Sequence, residues 1–140
     1  MDLQTRDYDS AIAAVSTRLL TFLRVFEQLQ QDIDFRHPTA AQERLRSASR
    51  GLFPALPAYL ATLAPPTHTR AAHAQLQMAV DSWAQAVVRF VDDSQGGFAL
   101  AFVNSRRLLC EGLLQAYAAR EKFPLLQPFW IEKKCAGQSR

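Results

Sequence analysis

Cysteine, glycine and long apolar runs are all scarce in this chain, and each scarcity removes a class of protein. The only cysteines are Cys110 and Cys135, too few for a multi-disulfide scaffold or a tetrahedral zinc set, so a reducing, cytoplasmic setting is expected. No stretch approaches the roughly 18 uninterrupted apolar residues of a membrane span. No apolar core of a signal peptide follows Met1–Asp7. Neither a membrane partner nor secretion is expected. Of the 5 glycines only Gly96 and Gly97 are adjacent, so phosphate-cradling and dinucleotide-binding glycine loops are missing.

Charge of one sign is also in short supply. The formal net charge is +3, and the basic groups Arg44, Arg46 and Arg50, Arg106-Arg107 and Lys133-Lys134 are interleaved with acids. Such a pattern reads as solvated surface, and no nucleic-acid partner is expected.

What the chain does have is apolar content: 49% hydrophobic against 21% charged residues, enough to exclude disorder. With 140 residues, a single helical-bundle domain is expected over 1–140. It divides into a bundle core at about 9–122, an irregular apolar segment 123–131 and a polar tail 132–140.

Ile12, Val15, Leu19, Phe22, Phe26, Leu29 and Ile33 recur at alternating steps of three and four, the stripe of an amphipathic helix. Leu20, Leu23 and Val25 widen it. Asp9 or Ser10 is its expected cap, and Pro38 stops it near Arg36. Thr39 and Gln42 have the capping-box spacing for a second helix starting at Ala40 after a very short turn. That helix carries Leu45, Ala48, Leu52, Leu56, Tyr59 and Leu63 on its apolar face. Gly51, Pro54 and Pro57 predict a kink or break between Gly51 and Pro54, because an interior proline removes one hydrogen bond and clashes with the preceding turn.

After Pro65-Pro66, Thr67 is read as the cap of a third helix reaching about Asp93. Ala72, Leu76, Ala79, Val80, Trp83, Val87, Phe90 and Val91 share its face, and Gly96-Gly97 supply its left-handed C-terminal geometry. A fourth helix spans about Phe98 to Lys122. It buries Phe98, Ala101, Phe102, Ser105, Leu109, Gly112, Leu113, Ala116 and Tyr117, with the small residues allowing a neighbour close approach. The expected fold is all-α: an antiparallel up-down-up-down four-helix bundle with a kinked or broken second helix and an irregular apolar C-terminal segment.

Reactive constellations are absent from this pattern. A di-iron bundle requires paired Glu-x-x-His motifs, and the nearest approach is the single Asp34-x-x-His37 at a helix end, better read as a solvated turn. His68 and His73 are five apart and face different sides of a helix, with His73 placed on a polar shoulder. Cys110, beside the apolar stripe, reads as a buried thiol, and no nucleophile elbow is present. No catalytic, metal or cofactor residues are therefore expected, and an enzyme would need Arg36, Asp81 and Glu111 without any motif to unite them.

Tyr59, Trp83, Phe98, Phe102 and Tyr117 could line a ligand pocket between helices, although aromatic residues at helical spacing more often form the core. Phe129 and Trp130 belong to the apolar run Phe123–Ile131, which either covers the bundle or docks onto another chain.

Ala101, Arg107, Glu111, Leu113 and Tyr117, followed by Phe123-Pro124-Leu125 and Pro128-Phe129-Trp130, form a pattern that resembles the end of uncharacterised bacterial helical domains accompanying dienelactone-hydrolase-like enzymes. The resemblance covers the last third of the chain and implies an accessory module without its own chemistry. From the residues themselves, a non-catalytic interaction or assembly module is expected. The apolar surplus at Leu20 and Val25 points to a two-fold dimer, with the monomer as alternative. The alternative function is a ligand-binding or sensor bundle, in which a gap at Gly51–Pro57 holds an apolar molecule.

Overall fold

In the computed structural model, residues 3–123 are described, with side chains from residue 7 onward. Five α-helices and one 3-10 turn, and no β-strand, make up the described residues. The described fold is all-α.

Helix α1 spans Leu3–Gln31 and begins before the expected cap at Asp9 or Ser10. The reason lies in Tyr8, which continues the apolar stripe by one turn and is buried with Ile12, Val15, Leu19, Phe22, Phe26 and Leu29. Leu20, Val25 and Ile33 are half-buried against the same core. The helix stops at Gln31 rather than near Arg36, because the Asp34 carboxylate accepts the Arg36 amide hydrogen at 2.9 Å. A side-chain acceptor of this kind competes with helical hydrogen bonding. Residues 32–38 thus form a longer connection than the very short turn expected.

Helix α2, Thr39–Ser49, has no capping box. The Gln42 side chain turns inward and donates to the Phe90 carbonyl at 3.1 Å and to Asp93 Oδ2 at 3.3 Å. Gln42 therefore satisfies a carbonyl that the end of another helix leaves without an intrahelical partner.

The expected break in the second helix is present. Helix α2 ends at Ser49, Gly51 adopts φ +83°, the Phe53-Pro54 peptide is cis, and helix α3 runs over Ala55–Thr62. The break also overturns the placement of Tyr59 on the apolar face. Leu56 and Leu60 are buried while Tyr59 is 45% exposed, because the helical phase resets at Pro54 and cannot be carried through from Leu45.

Thr67–Thr69 form a 3-10 turn leading into helix α4, Arg70–Val91. Thr67 makes no side-chain capping bond. Ala72, Leu76, Ala79, Val80, Trp83, Val87 and Phe90 are buried as expected. His73 joins them at 4% exposure, against its expected position on a polar shoulder.

Gly96 and Gly97 have φ of +91° and +84°, but they introduce helix α5, Gly97–Ala118, rather than closing α4. The chain between is turned by Asp92, whose carboxylate accepts the Ser94 hydroxyl at 2.6 Å and the Ser94 amide at 3.1 Å. Helix α5 ends before the expected Lys122, yet Ala119 and Phe123 remain buried. Tyr117 is half-buried, with the Arg120 guanidinium 3.7 Å above its ring.

Close packing of α4 on α5 depends on small residues. Gly112 leaves room for the Trp83 ring, and Ala79, Ala86, Ser105 and Ala116 are buried. Phe53, Phe22, Phe26, Phe90 and Phe98 meet edge to face in series at 5.4, 5.7, 5.6 and 5.4 Å, joining the chain break to α5 through α1 and α4. Such pairs add about 0.5–1.5 kcal/mol each beyond area burial.

Candidate functional site

The break between α2 and α3 does more than interrupt a helix. Left-handed Gly51 and the extended backbone of Arg50, with φ −62° and ψ +130°, turn the chain at the end of α2 and bring the Gly51 carbonyl to Arg18 of α1. A cleft of about 400 Å³ lies there. Phe22, Val25, Ala48 and Leu52 provide its apolar wall, while Thr17, Arg18, Thr21 and Arg50 provide its polar rim.

The rim is organised by hydrogen bonds. Arg18 Nη2 donates to the Gly51 carbonyl at 2.9 Å, tying α1 to the turn and fixing the guanidinium at the mouth. The Thr17 and Thr21 hydroxyls donate backward to the carbonyls of Ala13 and Thr17 at 3.0 and 3.2 Å. With those hydrogens committed, the side-chain donors left among the lining residues belong to Arg18 and Arg50. No carboxylate lines it among the described residues.

The sequence-predicted aromatic residues do not gather around this cleft. Trp83 is fully buried between α4 and α5, and its Nε1 donates to the Leu109 carbonyl at 3.2 Å. Phe102 packs at 5.1 Å from Phe35. Tyr59 is exposed on α3, Tyr117 sits under Arg120, and Phe129 and Trp130 lie outside the described residues. They are distributed core and surface positions rather than a shared pocket.

A second polar assembly is buried. The Tyr8 hydroxyl is 2.7 Å from His73 Nδ1, and His73 Nε2 is 3.1 Å from the Leu60 carbonyl. A carbonyl only accepts, so Nε2 carries the hydrogen and Nδ1 accepts from Tyr8. Both imidazole nitrogens are thereby committed. Burial raises the Tyr8 pKa, the Thr69 hydroxyl opposes the shift, and the Asp9 charge adds to it. Three segments of chain distant in sequence are joined by this relay.

The remaining titratable groups have local roles. The Asp34 carboxyl is held below its ordinary range by the Arg36 amide and then His37, both groups standing in solvent. Asp92 is lowered in the same way by the Ser94 hydroxyl and amide. Cys110 is buried. No group of three metal-ligating side chains occurs among the described residues, and none of the described helices is long and apolar enough to cross a membrane.

In the sequence Arg50 reads as solvated surface and Arg18 carries no signal. Both come together because Gly51 folds back on α1, a pairing that sequence spacing does not encode. The one legible signal was the glycine-proline break itself. No family model, curated protein or solved structure matches the chain, so its functional reading rests on geometry.

Proposed function

We propose that this chain is a non-catalytic binding module that takes a small, largely apolar molecule into the cleft between α1 and the α2–α3 break. The observation that carries this reading is the cleft itself: about 400 Å³, walled by Phe22, Val25, Ala48 and Leu52, within the range of small-molecule sites. The gap follows from the backbone turn at Gly51, so it is built into the fold. Decanol titrated into the full chain is expected to bind saturably and raise its melting temperature. Thr21→Trp, which places an indole in the cleft from an exposed position, is expected to abolish both effects. Binding unchanged by Thr21→Trp would overturn the assignment.

Within this proposal the fold is an up-down-up-down four-helix bundle, with α2 and α3 together as the broken second helix. The pairings Phe90 to Phe98, Trp83 to Leu109 and Ser82 to Gln115 support an antiparallel α4 and α5.

A second reading, as a protein-interaction or assembly module, is favoured by Leu100, Val103 and Leu114, exposed at 48, 60 and 43% on the outward side of α5. Dimerisation through this face is the form to test. Leu100→Glu together with Val103→Glu is expected to convert a dimer to a monomer in sedimentation, and a wild-type monomer at micromolar concentration would rule the reading out. An accessory place beside a hydrolase, implied by the C-terminal resemblance, is compatible with either.

A further inference from the structure

The polar rim of the α1 cleft is chemically one-sided. Arg18 and Arg50 both line it, and neither is in an ion pair among the described residues, where the three pairs are His37 with Asp34, Arg46 with Glu43 and Arg107 with Glu111. Arg18 commits one nitrogen to the Gly51 carbonyl, which leaves further N–H donors on a fixed, planar fork. Arg50 stands on the extended residue next to Gly51, at the C-terminal cap of α2. The threonine hydroxyls have spent their hydrogens on backbone carbonyls. Two arginines, and no acid among the described residues, therefore line a cleft that also has apolar walls.

Resting on the reading of this cleft as a ligand site, we infer that its occupant is an anionic amphiphile: a single carboxylate carried on an apolar chain. The carboxylate meets Arg18 and Arg50, and the chain lies against Phe22, Val25, Ala48 and Leu52. Charge complementarity selects the anion, since a planar carboxylate matches the guanidinium fork and accepts charge-assisted hydrogen bonds, which are stronger than neutral ones. The half-buried Val25 and Ala48 select the tail, because apolar area withdrawn from water contributes in proportion to its extent, Phe22 and Leu52 being already buried behind them. A fully polar anion, such as inorganic phosphate, would leave that wall unused.

Decanoate and decanol, each held below its aggregation threshold, share a tail and differ in the head group. Calorimetry on the full chain at low salt is expected to give saturable binding of both, with decanoate about tenfold tighter, the order that one charged hydrogen-bonded contact supplies. Arg50→Gln replaces an exposed arginine without touching the Arg18–Gly51 tether, and is expected to cut the ratio of decanoate to decanol affinity to about twofold or less. Inorganic phosphate is expected not to compete. If decanol binds and decanoate binds no better, or if Arg50→Gln and the double variant with Arg18→Gln both keep the full advantage, the anionic head group is wrong although the cleft reading stands. If neither probe binds, or if both bind Thr21→Trp as well as the parent, the cleft reading fails and the inference with it.

Discussion

The indole of Trp83 occupies the space that a side chain on Gly112 would need. A Cβ built there would lie 2.6 Å from Trp83 Cδ1, and the ring is held by full burial and by its hydrogen bond to the Leu109 carbonyl. Gly112→Ala gains about 1 kcal/mol of helix propensity, but the overpacking costs about 1–3 kcal/mol. A net loss of stability is expected from urea unfolding, growing with Gly112→Val. The complementary variant Trp83→Ala is expected to lose about 3–5 kcal/mol. An alanine at 112 as stable as the parent would show that the two helices separate at little cost.

Tyr8 makes stability fall at alkaline pH. Burial raises its pKa in the folded state, so its contribution is fully present below the unfolded value of about 10 and is lost as pH rises through that value towards the folded one. Urea midpoints measured between about pH 8 and 11 are expected to fall more steeply for the parent than for Tyr8→Phe. At pH 8 the same variant is expected to be less stable by about 1–3 kcal/mol, because His73 Nδ1 is left buried without its donor. Parallel pH profiles would show that Tyr8 is free to ionise in the folded chain.

Gly51 is a backbone requirement with open space around it. Its φ is +83° and nothing would meet an added Cβ, so Gly51→Ala is expected to cost about 1–2 kcal/mol through conformation alone. The Arg18 bond to the Gly51 carbonyl links that strain to the cleft. Decanol affinity should weaken alongside the melting temperature. Replacement by Asn, which tolerates the left-handed region better, should recover part of both. If Ala and Asn behave alike, left-handed geometry is not what the turn requires.

The stripe from Ile12 to Leu29 and the face from Ala72 to Phe90 were legible in the sequence because burial along an uninterrupted helix repeats at a fixed period. The break at Gly51 to Pro54 was legible because proline chemistry is local. What escaped were pairings across the chain. Gln42 has the spacing of a capping residue, yet the Phe90 carbonyl, buried and without a helical partner, makes a stronger claim on its amide. His73 falls on the edge of an apolar face and looks polar until Tyr8 and Leu60 supply its partners. Tyr59 falls off the apolar face because helical phase does not survive a break. The cleft depends on the break, which can be read from sequence, and on the Arg18 bond to the Gly51 carbonyl, which cannot.

Gln42 provides the sharpest test of how these helices are held together. Its amide nitrogen bridges the Phe90 carbonyl and Asp93 at the end of α4, and the residue is only 7% exposed. Gln42→Met keeps the length of the side chain and removes its polar head, leaving a helix-terminal carbonyl without a partner. A loss of about 1–3 kcal/mol is expected. The neighbouring Arg46 reaches the Val91 carbonyl at 3.4 Å from an exposed position and also pairs with Glu43. Arg46→Met should then cost no more than about 0.5–1 kcal/mol, as solvent-exposed contacts do. Hydrogen exchange gives a second readout, with protection falling near Phe90 to Asp93 in the Gln42 variant and unchanged in the Arg46 variant. Equal losses in the two variants would mean that general docking of α2, rather than satisfaction of the Phe90 carbonyl, secures this end of α4.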